Sequence, residues 1–194
     1  MQLGNDDPIF HSQDRALSAK PPAAGASELL ALAGDFNTID TLSVSRLGLP
    51  RGTAGLPARA LAEALTADKR QSGSTLRFNL EGVREVEAEA GASAAAVTVR
   101  YVAFDYAVET CRGTVTEESG GRLSCVTAQD GGLLQTVLRR ATCVAAVGGD
   151  EASTPALLLV ASTPAARWAE AEPTLRAIAA SFKALGLTST TSRT

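Results

Sequence analysis

The stretch Ala156–Leu187, ALLLVASTPAARWAEAEPTLRAIAASFKALGL, decides the fold. Its opening, Ala156–Ala161, reads as a short buried strand. Thr163-Pro164 supplies a helix cap and a first-turn proline, where the missing N–H is harmless. Pro173 is expected to restart the helix after a short preceding turn. Leu175, Ile178 and Phe182 then recur at helical spacing as one apolar stripe. Trp168 lies seven residues before Leu175, on nearly the same face. Trp168 and Phe182 are therefore expected in the core.

Upstream, the pattern is mostly that of strands. Val97–Thr110 is long and rich in β-branched and aromatic residues, and Leu133–Val147 is a second long strand. Thr75–Leu80 alternates Leu76, Phe78 and Leu80 with polar residues, and Val83–Ala90 continues it past Gly82 through a bulge. Thr41–Leu47 is a further strand. Glu117–Gly121 predicts a turn that pairs the preceding residues with Arg122–Thr127, and Asp130-Gly131-Gly132 predicts the next turn. Gly48–Gly55 and Gly148–Pro155 read as loops. Helical signals are fewer. Pro57 opens a helix whose Leu61 and Leu65 share a buried face and which fades near Lys69 and Arg70. Ser27 predicts a short helical turn through Leu32, ended by Gly34. Strands joined by short turns favour antiparallel meanders, so the class is α+β with helices covering a sheet.

Composition sets bounds on function. The chain has 194 residues, enough for one domain with a real core. A hydrophobic share of 45% excludes a disordered chain, and a net charge of −3 gives no reason to expect nucleic acid or an anionic membrane. No apolar run reaches the roughly 18 residues that a membrane span needs. Residues 1–26 read as an extended arm that ends in the linker-like Lys20-Pro21-Pro22-Ala23-Ala24-Gly25. The first residues, MQLGNDDPIFHSQDR, have neither a signal-peptide core nor the composition of a transit peptide. That fits a cytoplasmic protein or a chain in mature form.

Few residues point to a chemistry. Cys111, Cys125 and Cys143 have no metal-ligand spacing, and the single histidine is His11. Cys111 and Cys125 flank a turn and face each other if the hairpin pairs around Glu118. A structural disulfide, two buried thiols and a redox switch all remain open. Cys143 has apolar neighbours and no base, so it reads as a buried inert thiol. Glu81, Glu85, Glu87 and Glu89 read as a solvated acidic face, and one strand cannot converge enough oxygens for calcium. Arg139 and Arg140 point to opposite faces of a strand, and one of them is expected to be exposed. Asp105 is expected on the wet face. Neither glycine-rich stretch carries a nucleotide-binding pattern, and no basic stripe with aromatics suggests nucleic acid. A ligand carrier or enzyme would need convergent polar groups between sheet and helix, and the sequence displays no such set.

Three features resemble PsbP-domain proteins. A helix leads into a strand-rich middle over Leu56–Ala90. A central strand runs into a short hairpin over Arg100–Gly113. The close combines a strand, Trp168, Glu172-Pro173-Thr174-Leu175-Arg176 and Ala180-Ser181-Phe182. Together they cover roughly Thr41 to Leu185. The resemblance implies an α-β-α sandwich around a central antiparallel sheet, with a PsbP-like domain over 27–187 between the arm and a disordered tail, 188–194. It implies a non-catalytic, cofactor-free extrinsic protein of the chloroplast thylakoid lumen, seen here without its transit peptide. Such a protein docks on a photosystem, photosystem II first, and stabilises it. The alternative it implies is an assembly factor for photosystem I, photosystem II or a related thylakoid complex, redox-responsive through Cys111 and Cys125. Expected partners are a photosystem core or other extrinsic subunits, at the periphery of the thylakoid membrane. An oxidising lumen would suit a Cys111–Cys125 disulfide.

Overall fold

The computed structural model describes residues 23–35, 37–86, 99–127, 132–148 and 154–182. The strands are β1 (Ser27–Asp35), β2 (Asp40–Leu49), β3 (Thr75–Val86), β4 (Arg100–Thr110), β5 (Thr114–Glu117), β6 (Leu123–Val126), β7 (Val137–Val147) and β8 (Thr154–Pro164). The helices are α1 (Ala58–Leu65), α2 (Ala67–Gln71) and α3 (Trp168–Ala180), with 3-10 turns at Thr53–Gly55 and Ala165–Arg167. Six strands form one sheet in the order β1-β2-β8-β7-β4-β3, and every neighbouring pair is antiparallel. β5 and β6 make a separate hairpin.

The two-residue period of the strands sorts the core into two layers. On one face Val102, Phe104 and Tyr106 of β4 join Cys143 and Ala145 of β7 and Leu158 and Val160 of β8, beneath Leu61 and Leu65 of α1. On the other, Ala103, Val144, Leu159 and Ala161 meet Trp168, Ala171, Leu175 and Ala179 of α3. Ile178 and Phe182 pack at the edge of that second layer. This is the expected α-β-α sandwich. Phe104 and Leu61 are fully buried, so the layer under α1 is a closed core.

Several local expectations are corrected. Ser27–Leu32 is not a helical turn but most of β1, paired with β2 and bulged between Leu29 and Ala31. An isolated helical turn has a costly nucleus, whereas the strand gains a backbone ladder from its neighbour. β8 is longer than expected and runs through Thr163 and Pro164. The Thr163 hydroxyl donates to Asp40 Oδ1 at 2.6 Å instead of capping a helix. Pro173 sits inside α3 rather than at a restart. Pro173 and Ala169, whose carbonyl loses its helical donor, are both exposed, so water can satisfy that carbonyl. β2 continues to Leu49, into the expected loop, and β7 begins only at Val137. Leu133 instead bridges to Val126. Gly82 carries the expected bulge in β3, with φ of 58° and a register shift between Glu81 and Arg84. The arm before residue 23, Glu87, Glu89, Asp130, Gly131 and the tail 188–194 lie outside the described residues.

Candidate functional site

The face under α3 gathers charge around an aromatic ring. Asp105 was expected on the wet face, but β4 carries it beneath α3, where only 9% of it is exposed. A buried carboxylate needs a partner, and Arg176 of α3 supplies one, with Nη2 donating to Oδ2 at 2.8 Å. Arg176 also donates from Nε to Glu172 Oε1 at 2.8 Å. The hydrogen bond to Glu172, then that to Asp105, raises the Arg176 pKa above its ordinary value. The Arg140 guanidinium lies 4.6 Å from the Trp168 ring centroid and also reaches Glu81 Oε2 at 3.3 Å. At one end of this face Arg167 holds the turn between β1 and β2, bonding the Thr38 carbonyl at 3.2 Å and Asp40 Oδ2 at 3.0 Å. Burial alone would push the Asp40 carboxyl up. Hydrogen bonds led by Thr163, and including Arg167, outweigh it and hold the pKa below the usual value. Trp168 is therefore core, as expected, and also a platform for a cation worth about 0.5–1 kcal/mol.

A second cluster surrounds the β5–β6 hairpin. Cys111 and Cys125 are joined, with Cα atoms 5.4 Å apart. They are not opposite one another in the hairpin, since Val115 is the register partner of Cys125. Cys111 instead stands at the end of β4, its N–H bonded to the Ser74 carbonyl at 2.8 Å. The bond thus ties the hairpin to the large sheet. Both residues are buried. Gly113 allows the close approach: a Cβ there would lie 2.1 Å from the Val126 carbonyl oxygen. Closing the loop between positions 111 and 125 stabilises the fold by about 3 kcal/mol. Cys143 is buried between β4 and β8, and desolvation pushes its pKa far up, so it stays a protonated thiol.

The third place is a cleft of about 450 Å³ on the α1 face, beyond the end of that helix's cover. Here the inward-facing residues change character along each strand. On β8 Leu158 and Val160 give way to Ser162, on β2 Leu47 gives way to Ser43 and Thr41, and on β7 Ala141 gives way to Arg139. Tyr106, Val108 and Thr110 of β4 form part of the floor, and Lys69, Ser72 and Ser74 form the rim beside α2. Arg139 Nη2 donates to Thr41 Oγ1 at 3.1 Å, Ser162 Oγ at 3.0 Å and the Ile39 carbonyl at 2.8 Å. Arg139 is half-buried, and desolvation lowers its pKa from the ordinary arginine value. Sequence reading singled out Arg139 but not this convergence, because two of its partners, Ile39 and Thr41, lie about a hundred residues away in the chain. A switch from apolar to hydroxyl residues at the same end of β2, β7 and β8 was the available signal. Among the described residues, no three His, Cys, Asp or Glu side chains converge as metal ligands.

The two covered faces define an antiparallel α-β-α sandwich. No protein-family model matches the chain, and no curated protein sequence matches it. Among solved structures the chain is similar to cyanobacterial PsbP (CyanoP) from Synechocystis sp. PCC 6803, determined in solution. The two share 14% identity at a TM-score of 0.50, over 93% of this chain and 83% of that one. The likeness is one of fold, and the fold of this chain is PsbP-like.

Proposed function

We propose that this chain is a photosystem-associated extrinsic protein of the thylakoid lumen that acts by docking rather than by turnover. The observation that carries the reading is the PsbP-like sandwich, matched over 93% of the chain to a cyanobacterial PsbP. Photosystem II is the first candidate, with its core or its other extrinsic subunits as the contact, and the protein's role there is to stabilise the complex. The chain would work at the membrane periphery, in the chloroplast thylakoid lumen. No helix among the described residues is long and apolar enough to cross a membrane. In this reading the residues that precede β1 add to the docking contact.

The test is to separate solubilised thylakoid complexes of the native source on a density gradient and to follow this chain through the fractions. Comigration with a mature photosystem, lost on a salt wash, supports the extrinsic role and identifies the complex. Comigration with immature complexes alone favours the assembly-factor role instead. Absence from thylakoids overturns both. Deleting residues 1–24 should weaken docking and leave the melting temperature nearly unchanged. A redox switch at Cys111–Cys125 has less support, because exchange needs access and both cysteines are buried.

A further inference from the structure

We propose that the cleft at the Arg139 end of the sheet binds a small monocarboxylic acid with an apolar body. The first argument is the state of the guanidinium. Arg100, Arg140, Arg167 and Arg176 are also half-buried, and each meets a carboxylate. Among the described residues Arg139 hydrogen-bonds to neutral oxygens only, and those bonds all leave from Nη2. The edge formed by Nε and Nη1 is left without an acceptor among them. That edge is the fork that grips a carboxylate through two parallel hydrogen bonds. An arginine keeps its charge at any working pH, so a partly dehydrated cation stands with no carboxylate bonded to it among the described residues. The Asp40 carboxylate, engaged by Thr163 and Arg167, acts on it only through space.

The second argument is the surroundings. Val108, Val160 and the Tyr106 ring give one part of the cleft an apolar surface, and the Ser162 hydroxyl bonds the cation. The lining is polar around one apolar patch, and its volume of about 450 Å³ falls in the range of small-molecule sites. The cation is also pre-positioned, because Nη2 is fixed by Thr41, Ser162 and the Ile39 carbonyl, so little ordering is left for binding. The third argument is charge. Lys69 adds a second cation at the rim and Asp68 an anion, so the lining carries a net single positive charge. That matches a monoanion and opposes a doubly charged phosphate.

The experiment titrates the full chain with four probes at constant ionic strength, which keeps general screening the same throughout. Benzoate carries the carboxylate and an apolar body. Benzamide is its neutral isostere, inorganic phosphate tests the other anion, and N-acetyl-aspartate amide presents the side chain that a partner protein would insert. Amide and arginine Nε–H resonances report the site. Benzoate is expected to saturate with a dissociation constant of about 1 mM or tighter, shifting the Arg139 Nε–H signal and amides of β2 and β8. Benzamide is expected to bind at least tenfold more weakly, and Arg139→Gln to lose benzoate. Equal binding of benzamide, tighter binding of phosphate or of the aspartate probe, or no saturation by benzoate would each overturn the proposal. If Arg139→Gln does not fold, the benzoate and benzamide comparison on the unaltered chain decides alone.

Discussion

The face under α3 and the cleft at the Arg139 end of the sheet treat cations differently. Under α3, Arg140, Arg167 and Arg176 each reach a carboxylate, and the buried Asp105 is paired with Arg176. On the α1 face, Arg139 rests on hydroxyl and carbonyl oxygens. The same side-chain type is thus part of a closed network in one place and of an open cleft in another, while Arg100, also on the α1 face, is paired with Glu85. The α3 face closes the sandwich. The α1 face closes it only as far as α1 reaches, and beyond that point the strands change from leucine and valine to serine, threonine and arginine.

The largest effects should be equal on the two faces, because both are core where a helix covers them. Leu61→Ala under α1 and Leu175→Ala under α3 are each expected to cost about 2–5 kcal/mol by chemical denaturation. A small loss for either would mean that its helix is not held by packing. The faces should part at their charges. Asp105→Ala leaves Arg176 with Glu172 alone and is expected to cost about 2–3 kcal/mol. Arg139→Gln removes a partly desolvated cation that bonds no carboxylate among the described residues, and its net cost should stay below about 1 kcal/mol. Similar costs for the two would erase the distinction.

Asp40 sharpens the comparison through pH. Asp40→Asn weakens the bonds to Thr163 and Arg167 and is expected to cost about 1–2 kcal/mol at neutral pH. Folding lowers the Asp40 pKa, so the unfolded chain binds that proton more readily. The contribution is full above about pH 4 and fades as pH falls through the folded value. Stability curves of the two proteins should therefore converge on acidification, and parallel curves would refute the role of this carboxylate. The smallest effect is a gain. Ile39, in the turn between the faces, has φ of 58°, a left-handed conformation that a β-branched residue adopts at a cost. Ile39→Asn should raise stability by about 1 kcal/mol, and the Arg139 bond to that residue's carbonyl should persist.

What the sequence made legible followed from periodicity. Leu61, Leu65, Trp168 and Leu175 could be assigned to the core because their spacing fixes a face without knowledge of the partner. Gly82 was legible as a bulge for a similar local reason. β1 was not, because Ser27 and Gly34 imitate helix signals and only pairing with β2 reveals the strand. Asp105 was misplaced because its partner, Arg176, is 71 residues away. The cleft failed to appear for the same reason: Thr41, Arg139 and Ser162 are dispersed in sequence and meet only through strand order.

That strand order also dictates when the protein can fold. β2 has β8 as its inner neighbour, and the Thr41 and Ser162 hydroxyls that meet there are 121 residues apart. Contacts of this span close late and slowly, since a long loop must be ordered before any contact rewards it. β3, β4 and β7 follow one another closely enough to pair during synthesis, but β1 and β2 have no dock until β8 emerges. The sheet is completed last at the strands made first, and a nascent chain stays incompletely folded until its final third is available.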